Sequence, residues 1–460
     1  MTPKGKGTFI KFLILGLLVA GMAFPAAPGW ADNGVKLTFQ EHILTVKQGK
    51  KGEQPKKEET DNVLTVTLWP SLLSVDDGKK NTVFDFNNRK IDILDAAHKT
   101  YEENSLYYEI GYRGAEFHNR LFMQEALKAA GDITPEFRTF QLETLFGLKN
   151  PEKKTPDALV KKTGPSSWNF NAPEGDLVAQ AQSGEAKVPL TLADSWRHFL
   201  IYGCSLHPSI MDFLVRDGRF PKSLTFQRLN VGESRRVTLT LEKQEEAPAP
   251  DGAWRKSYRL TKDTDPELWA LVEKASASRP PEAAETKNET VAFVEKASKQ
   301  GHAFDAALAC IECSLQTGLK MDETLRLLVS QLKDDPNMQA FQVGLNTRSP
   351  QEAEEAIKAL QSIDRKGLTK GYVIDIMLGD AYEADNKPKE AIESYFKALR
   401  ANPLLAGPWK DLGDVYYDGY DMDLAWLCWD TGRRLYPNHP ILEGVTEQES
   451  SLVKACPEYF

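Results

Sequence analysis

The carboxyl-terminal third of the chain repeats itself every 34 residues. Leu378-Gly379 and Tyr382 return as Leu412-Gly413 and Tyr416; Ala391 returns as Ala425, Tyr395 as Trp429 and Pro403 as Pro437. A fixed period of this length means that one supersecondary unit is being copied. A helix–turn–helix hairpin cannot bury both of its apolar faces alone, so it stacks on a neighbour of the same kind. The side-chain sizes fit. Gly379 and Gly413 allow the paired helix to come close, and Ala391 and Ala425 do the same from the second helix. Tyr382, Tyr395, Tyr416 and Trp429 fill the wider gaps. Pro403 and Pro437 end the second helix, because proline has no amide proton to donate.

On these residues the segment resembles the tetratricopeptide repeat, strongly over 372–405 and 406–439, with Trp409 at the family's aromatic position. Two positions depart from the pattern. Asp375 stands where a large apolar residue is usual, and Gly432 replaces an alanine late in the second repeat. Upstream, Thr290–Gly318 and Phe341–Leu368 have the length and apolar spacing of degenerate repeats, and Ile441–Cys456 reads as a capping helix with a polar face.

The resemblance implies an all-α helical solenoid over 286–460. Its concave face, lined by the first helix of each repeat, would receive peptides or partner domains. Carried over position by position, it puts Val373, Ile376, Asp380, Glu383, Lys410, Asp414, Tyr417 and Asp418 on that groove. Four acids against one lysine make the groove acidic. The expected partner is therefore a protein or peptide with basic and apolar residues, unlike the ligands of arrays that clamp a terminal carboxylate with cations. The alternative is that the array packs on its own amino-terminal half and binds nothing.

That amino-terminal half, 32–262, reads as an α+β domain of antiparallel strands plus helices. Val63, Thr65 and Thr67 alternate with Leu64, Val66 and Leu68, the period-two signature of a half-buried strand. The lysine-rich stretch 48–61 reads as a long hairpin loop. A second hairpin is expected over Thr82–Tyr101, turning at Asn87-Asn88. Its Asp85, Asp92 and Asp95 alternate with apolar residues and are assigned to the solvated face. A helix is expected from near Gly114 to Gly131. Residues 150–186 loosen into Lys, Pro, Gly and Ser and read as a flexible connector. Helical spacing resumes at Leu192, Trp196, Phe199 and Leu200; strands follow at Ser223–Leu229, Arg236–Lys243 and Trp254–Leu260. A helix and a Pro-rich linker over 263–285 would join the halves. With no specific motif behind it, this unit resembles the β half-barrels of periplasmic lipid and lipoprotein carriers, which implies an apolar cavity.

Residues 1–31 carry the pattern of a secretory signal. Lys4, Lys6 and Lys11 precede an apolar run from Phe12 to Phe24, and Gly29-Trp30-Ala31 offers a cleavage site. No cysteine precedes Cys204, so a lipid-modified cysteine after the signal is not expected, nor is any later transmembrane helix. The expected location is periplasmic or secreted. Cleavage would remove three lysines and no acids, taking the formal charge from −9 to −12, a balance that argues against a nucleic-acid partner.

No constellation for catalysis is assigned. Cys310 and Cys313 fall inside an Ala-rich helical run and read as small core residues, not as a redox pair. The histidines never reach metal-ligand spacing, so no metal or cofactor is expected. His118, flanked by Glu116 and Asn119, is the best lone acid/base candidate and would place a hydrolase site nearby. The leading expectation is a non-enzymatic scaffold or assembly factor. A carrier of an apolar ligand and a hydrolase at His118 are the alternatives.

Overall fold

The computed structural model describes residues 33–47, 49, 54–150, 154–249, 253–261, 265–345 and 349–460. The expected signal segment lies outside them. Among the described residues no helix is long and apolar enough to cross a membrane.

Strands come first: β1 (Gly34–Lys47), β2 (Lys56–Leu68), β3 (Leu72–Asp76), β4 (Lys80–Asp85), β5 (Lys90–Asp95) and β6 (Thr100–Ser105). Two helices follow, α1 (Leu106–Ala130) and α2 (Thr139–Phe146), then β7 (Leu159–Gly164), β8 (Ser167–Asn171) and β9 (Leu177–Lys187). Next are α3 (Ala193–His198), continued as a π-turn through Cys204, and α4 (Pro208–Asp217). Last come β10 (Arg219–Asn230), β11 (Glu233–Ala247) and the two-residue β12 (Arg259–Leu260).

All these strands form one sheet in the order β12-β6-β5-β4-β3-β2-β1-β11-β10-β9-β8-β7, antiparallel everywhere except where β12 runs alongside β6. Two meanders meet where β1 pairs with β11. Local chemistry closes the hairpins. Asp85 accepts the amide of Asn88 and Asp95 accepts those of Ala97 and His98, while Arg89 and Lys99 take the left-handed conformation that completes each turn. One face of the sheet is covered by α1 to α4: Phe39 stacks on Phe199 at 6.1 Å, and Trp196 meets Phe220 edge-on at 5.3 Å.

Several expectations need correction. The ladder between β1 and β2 runs out to Lys47 and Lys56, so residues 56–61 of the supposed loop are strand. The expected connector at 150–186 contains β7, β8 and β9. α1 begins at Leu106, eight residues before Gly114, because Ser105 caps it by accepting the Tyr107 amide. Residues 253–257 form a 3-10 turn, leaving only Arg259–Leu260 as strand. Asp92 is not solvated: it is buried and takes both arms of Arg255 at 2.7 and 3.0 Å, which clasps β12 to the sheet edge.

From residue 266 the chain is helical: α5 (Pro266–Ala277), α6 (Ala283–Lys299), α7 (Ala303–Thr317), α8 (Asp322–Gln331), α9 (Pro336–Leu345) and α10 (Pro350–Ser362). The repeats follow as α11 (Val373–Ala384), α12 (Pro388–Ala401), α13 (Ala406–Asp418) and α14 (Met422–Leu435), and α15 (Glu443–Ala455) ends the run. Helices α9 with α10, α11 with α12, and α13 with α14 pack as hairpins, each on the next. α5 is no linker. It joins this stack through Glu267 on Arg400 and through Asp265, which accepts the Tyr416 hydroxyl at 2.9 Å.

Helices α6 and α7 pack as a hairpin as well, and α7 has further partners. It crosses the turns that lead into the first helices of the following hairpins. Buried Asp305 accepts the amides of Thr369 and Lys370 at 3.1 and 2.8 Å, ahead of α11. Glu312 accepts the Tyr372 hydroxyl and, at 2.8 Å, the side-chain amide of Asn402, ahead of α13. Gln316 donates to the Tyr436 hydroxyl at 2.9 Å, and His439 lies 3.1 Å from the Ser314 carbonyl, ahead of α15.

The two regions touch along α1. Its Gly111 meets the Trp426 ring, Tyr112 meets Tyr420 edge-on at 6.1 Å, and Asn119 donates to the Tyr420 hydroxyl at 3.1 Å.

The repeat glycines sit under the second-helix aromatics. A methyl group at Gly379 would collide with the Tyr395 ring, and one at Gly413 with the Trp429 indole. Glycine to alanine inside a helix normally stabilises by about 1 kcal/mol. Here the sign should reverse, with Gly413→Ala and Gly379→Ala each costing about 1–3 kcal/mol through overpacking, read as a lower urea midpoint.

Candidate functional site

The expected groove residues divide into three groups. Val373 and Ile376 do not reach it: both are fully buried. Helix α11 is packed upon by α12, α10, α9 and α7, and α13 by α14, α12 and α7. Asp380, Glu383 and Asp418 are exposed, and Lys410 and Asp414 are half-buried. Tyr417 faces elsewhere. It packs on Trp426 and Trp429 at 6.0 and 5.5 Å and looks toward α1.

What remains is an acidic strip with internal order. The Tyr395 hydroxyl donates to Asp380 at 2.7 Å and reaches Glu383 at 3.3 Å. One repeat later the Trp429 indole donates to Asp414 at 3.1 Å and to the Lys410 carbonyl at 3.2 Å, while the Lys410 ammonium pairs with Asp414. Each aromatic thus does two things: its ring lies over a glycine, and its polar tip fixes the carboxylate of the very next residue. The sequence shows the rings as fillers; the polar tips of Tyr and Trp at equivalent positions were the signal available there. Asp411, also missed, is half-buried between them.

Burial, joined at Glu383 and Asp411 by like charge nearby, raises the proton affinity of the strip. Burial, then Asp380 and Asp414, push Glu383 up to about 7. Burial and the nearby Asp380 hold Asp411 well above the ordinary carboxylate value, and burial raises Asp380 itself.

The other candidates are placed differently. His118 is exposed and hydrogen-bonds no carboxylate or hydroxyl among the described residues. Glu116 pairs with Arg120 and Asn119 serves Tyr420, so neither orients the imidazole. Cys310 and Cys313 are buried free thiols, and burial pushes Cys310 up to about 11. A chain of hydroxyl, imidazole and carboxylate does occur elsewhere. Ser209 Oγ lies 2.8 Å from His207 Nδ1, and His207 Nε2 lies 3.1 Å from Glu143. Yet His207 and Glu143 are buried, Ser209 also accepts the Ala158 amide, and Glu143 the Asn150 amide. This network ties α2, α4 and the entry to β7 together.

The sheet and α3 meet through a filled interior of Phe170, Leu200, Ile201 and Phe220. A cavity of about 600 Å³ lies on the other side of the helical layer, between α1, α4 and α15. Ile110, Phe117, Met211 and Leu452 are among its walls, and His118 and Lys149 stand among its polar residues.

No protein-family model matches the chain, and no curated protein matches it. Two solved structures are similar in part. One, described as the MamA protein, is 17% identical, covers 38% of this chain and 91% of its own, and superposes with a TM-score of 0.18. The other is a LolA superfamily protein from Nitrosomonas europaea, 8% identical over 51% of this chain and 91% of its own, with a TM-score of 0.14. Likeness at this level assigns the chain to neither group.

The raised acids set a sign for stability against pH. Glu383 titrates near 4.5 when unfolded and near 7 when folded, so the folded form holds the extra proton between those values. Its contribution is fully present below the lower value and is lost as pH rises through about 7. Urea melts should show the unaltered chain losing stability from pH 5 to 8 by more than Glu383→Gln does; equal slopes would remove Glu383 from the account.

Proposed function

We propose that the chain is an exported, non-enzymatic scaffold whose helical repeats hold a protein or peptide rich in basic and apolar residues. The observation that carries this reading is the strip itself. Five carboxylates, at Asp380, Glu383, Asp411, Asp414 and Asp418, face one ammonium, and burial together with the repulsion of Asp380 and Asp414 pushes Glu383 up to about 7. A cationic partner relieves that repulsion. Tyr395 and Trp429 hold the acceptors in place beforehand, so little ordering is left for the binding step. Lys4, Lys6, Lys11 and the apolar run behind them support action outside the cytoplasm.

A second reading has one observation in its favour. The apolar-walled cavity beside α1 is large enough for a small apolar ligand, as a carrier would require. The hydrolase reading has none left once His118 stands alone.

The test is calorimetry with a basic amphipathic peptide, alongside a pulldown from envelope extracts with the full chain as bait. Binding at pH 7 should release protons, seen as a heat that changes with the ionisation enthalpy of the buffer, because the cation lowers the Glu383 pKa. Affinity should fall several-fold at about 0.3 M salt and in Asp414→Lys. Binding that ignores salt, buffer and Asp414→Lys would mean that the strip is not the site.

A further inference from the structure

Residues 456–460 leave α15 and enter the amino-terminal region. A short 3-10 turn, Pro457–Tyr459, carries them between α1, α2 and the π-turn after α3. Tyr459 is fully buried there. Its hydroxyl donates to the Phe146 carbonyl at 2.5 Å, its own carbonyl accepts from the Tyr202 hydroxyl at 3.0 Å, and its ring meets Tyr202 edge-on at 5.5 Å. Gly147 makes room for it. A methyl group there would lie 2.6 Å from the Tyr459 hydroxyl, and the backbone is left-handed at φ +65°. Phe460 lies 5.2 Å from the Tyr107 ring under the Arg89 guanidinium at 4.9 Å, and Arg89 also donates to the Phe460 carbonyl at 2.5 Å.

This is how a protein reads a peptide. Main-chain carbonyls of two successive residues are gripped by side chains of the host, and their aromatic side chains occupy separate recesses. Nearly all of the grip belongs to the α+β region: Arg89, Tyr107, Phe146, Gly147 and Tyr202. The segment itself contributes no strand or long helix to either core. His198 adds a further sign. It is buried against Phe86 at 3.8 Å with its Nδ1 unbonded, while its ring bonds the Glu458 backbone. One ring nitrogen is thus kept for the segment and the other has no partner among the described residues, at a cost a purely structural core normally avoids.

We propose that the α+β region contains a peptide-binding cleft, occupied in this conformation by the chain's own 457–460 segment, for a short, turn-forming partner segment with two adjacent aromatic residues. Withdrawal of the segment frees the cleft. It also loosens Cys456 and Glu458, which wall the cavity beside α1, so the cleft and the cavity open together. Arg89 and Tyr202 select a main chain bearing free carbonyls; the Tyr459 recess selects a ring with a hydroxyl that can reach Phe146. The inference does not rest on the acidic strip, which lies on α11 and α13.

Two measurements test it. The first uses a labelled synthetic peptide spanning Lys454–Phe460 and fluorescence anisotropy. It should bind the full-length Tyr459→Ala/Phe460→Ala variant at least tenfold more tightly than the unaltered chain, whose cleft is filled. Adding Arg89→Ala to that variant should weaken binding severalfold. Equal binding to the unaltered chain and the variant, or none to a variant whose melting curve shows it folded, overturns the proposal. The second needs no substitution. In the unaltered chain, amide exchange at 457–460 should run faster than at β1 and β11, showing release without global unfolding. Exchange of that segment only together with those strands would make it a permanent part of the core and overturn the proposal even if the variant fails to fold.

Discussion

An aromatic ring lying over a bare helical backbone is the contact on which the carboxyl-terminal region depends. At Gly379 and again at Gly413 the absence of a side chain lets the second helix of the hairpin close down, and the ring that fills the gap, Tyr395 or Trp429, spans the hairpin's thickness. Its buried body contributes packing, and its polar tip reaches the residue after the glycine on the open side. Hairpin geometry and groove chemistry are therefore one feature. A change that moves the ring displaces the carboxylate with it, so the acidic strip is only as well placed as the core behind it.

The junction of the two regions follows from a different economy of shape. α1 begins in the α+β core and then lies along α14 and α15, where Gly111 admits the edge of Trp426. Small residues at the crossing let two helices approach, and the tyrosines at 112 and 420 close the rim. Residues 457–460 then return into the first region on the far side of α15. The regions thus meet along α1, where β6 packs on α14, and again at this short segment.

What could be read in the sequence was set by whether a pattern is local. The 34-residue spacing survives in one dimension because every hairpin meets the same neighbour, so Gly379, Tyr395 and their copies were legible, and with them Asp380 and Asp414. The strands at 63–68 and 82–95 alternate cleanly and were equally plain. β7 was not: its Leu159, Val160, Lys161, Lys162 and Thr163 are exposed on both faces, so no alternation exists to be seen. β9 buries Ala179 and Ala181, too small to stand out from a polar connector. Asp92 looked solvated because its partner, Arg255, is 163 residues away. Val373 and Ile376 failed as groove residues for the same kind of reason. They carry the right periodicity, but helices distant in sequence pack over α11 and bury them.

The placing of α7 has a mechanical result. Stacked hairpins joined only to their neighbours bend and twist as a spring does, and a ligand must then bear the entropic cost of fixing the curvature. Asp305, Glu312 and Gln316 pin three successive turns to one rigid rod. The stack is splinted along that edge, its pitch decided before any visitor arrives. A partner of the kind proposed would have to match a pitch already set by these bonds.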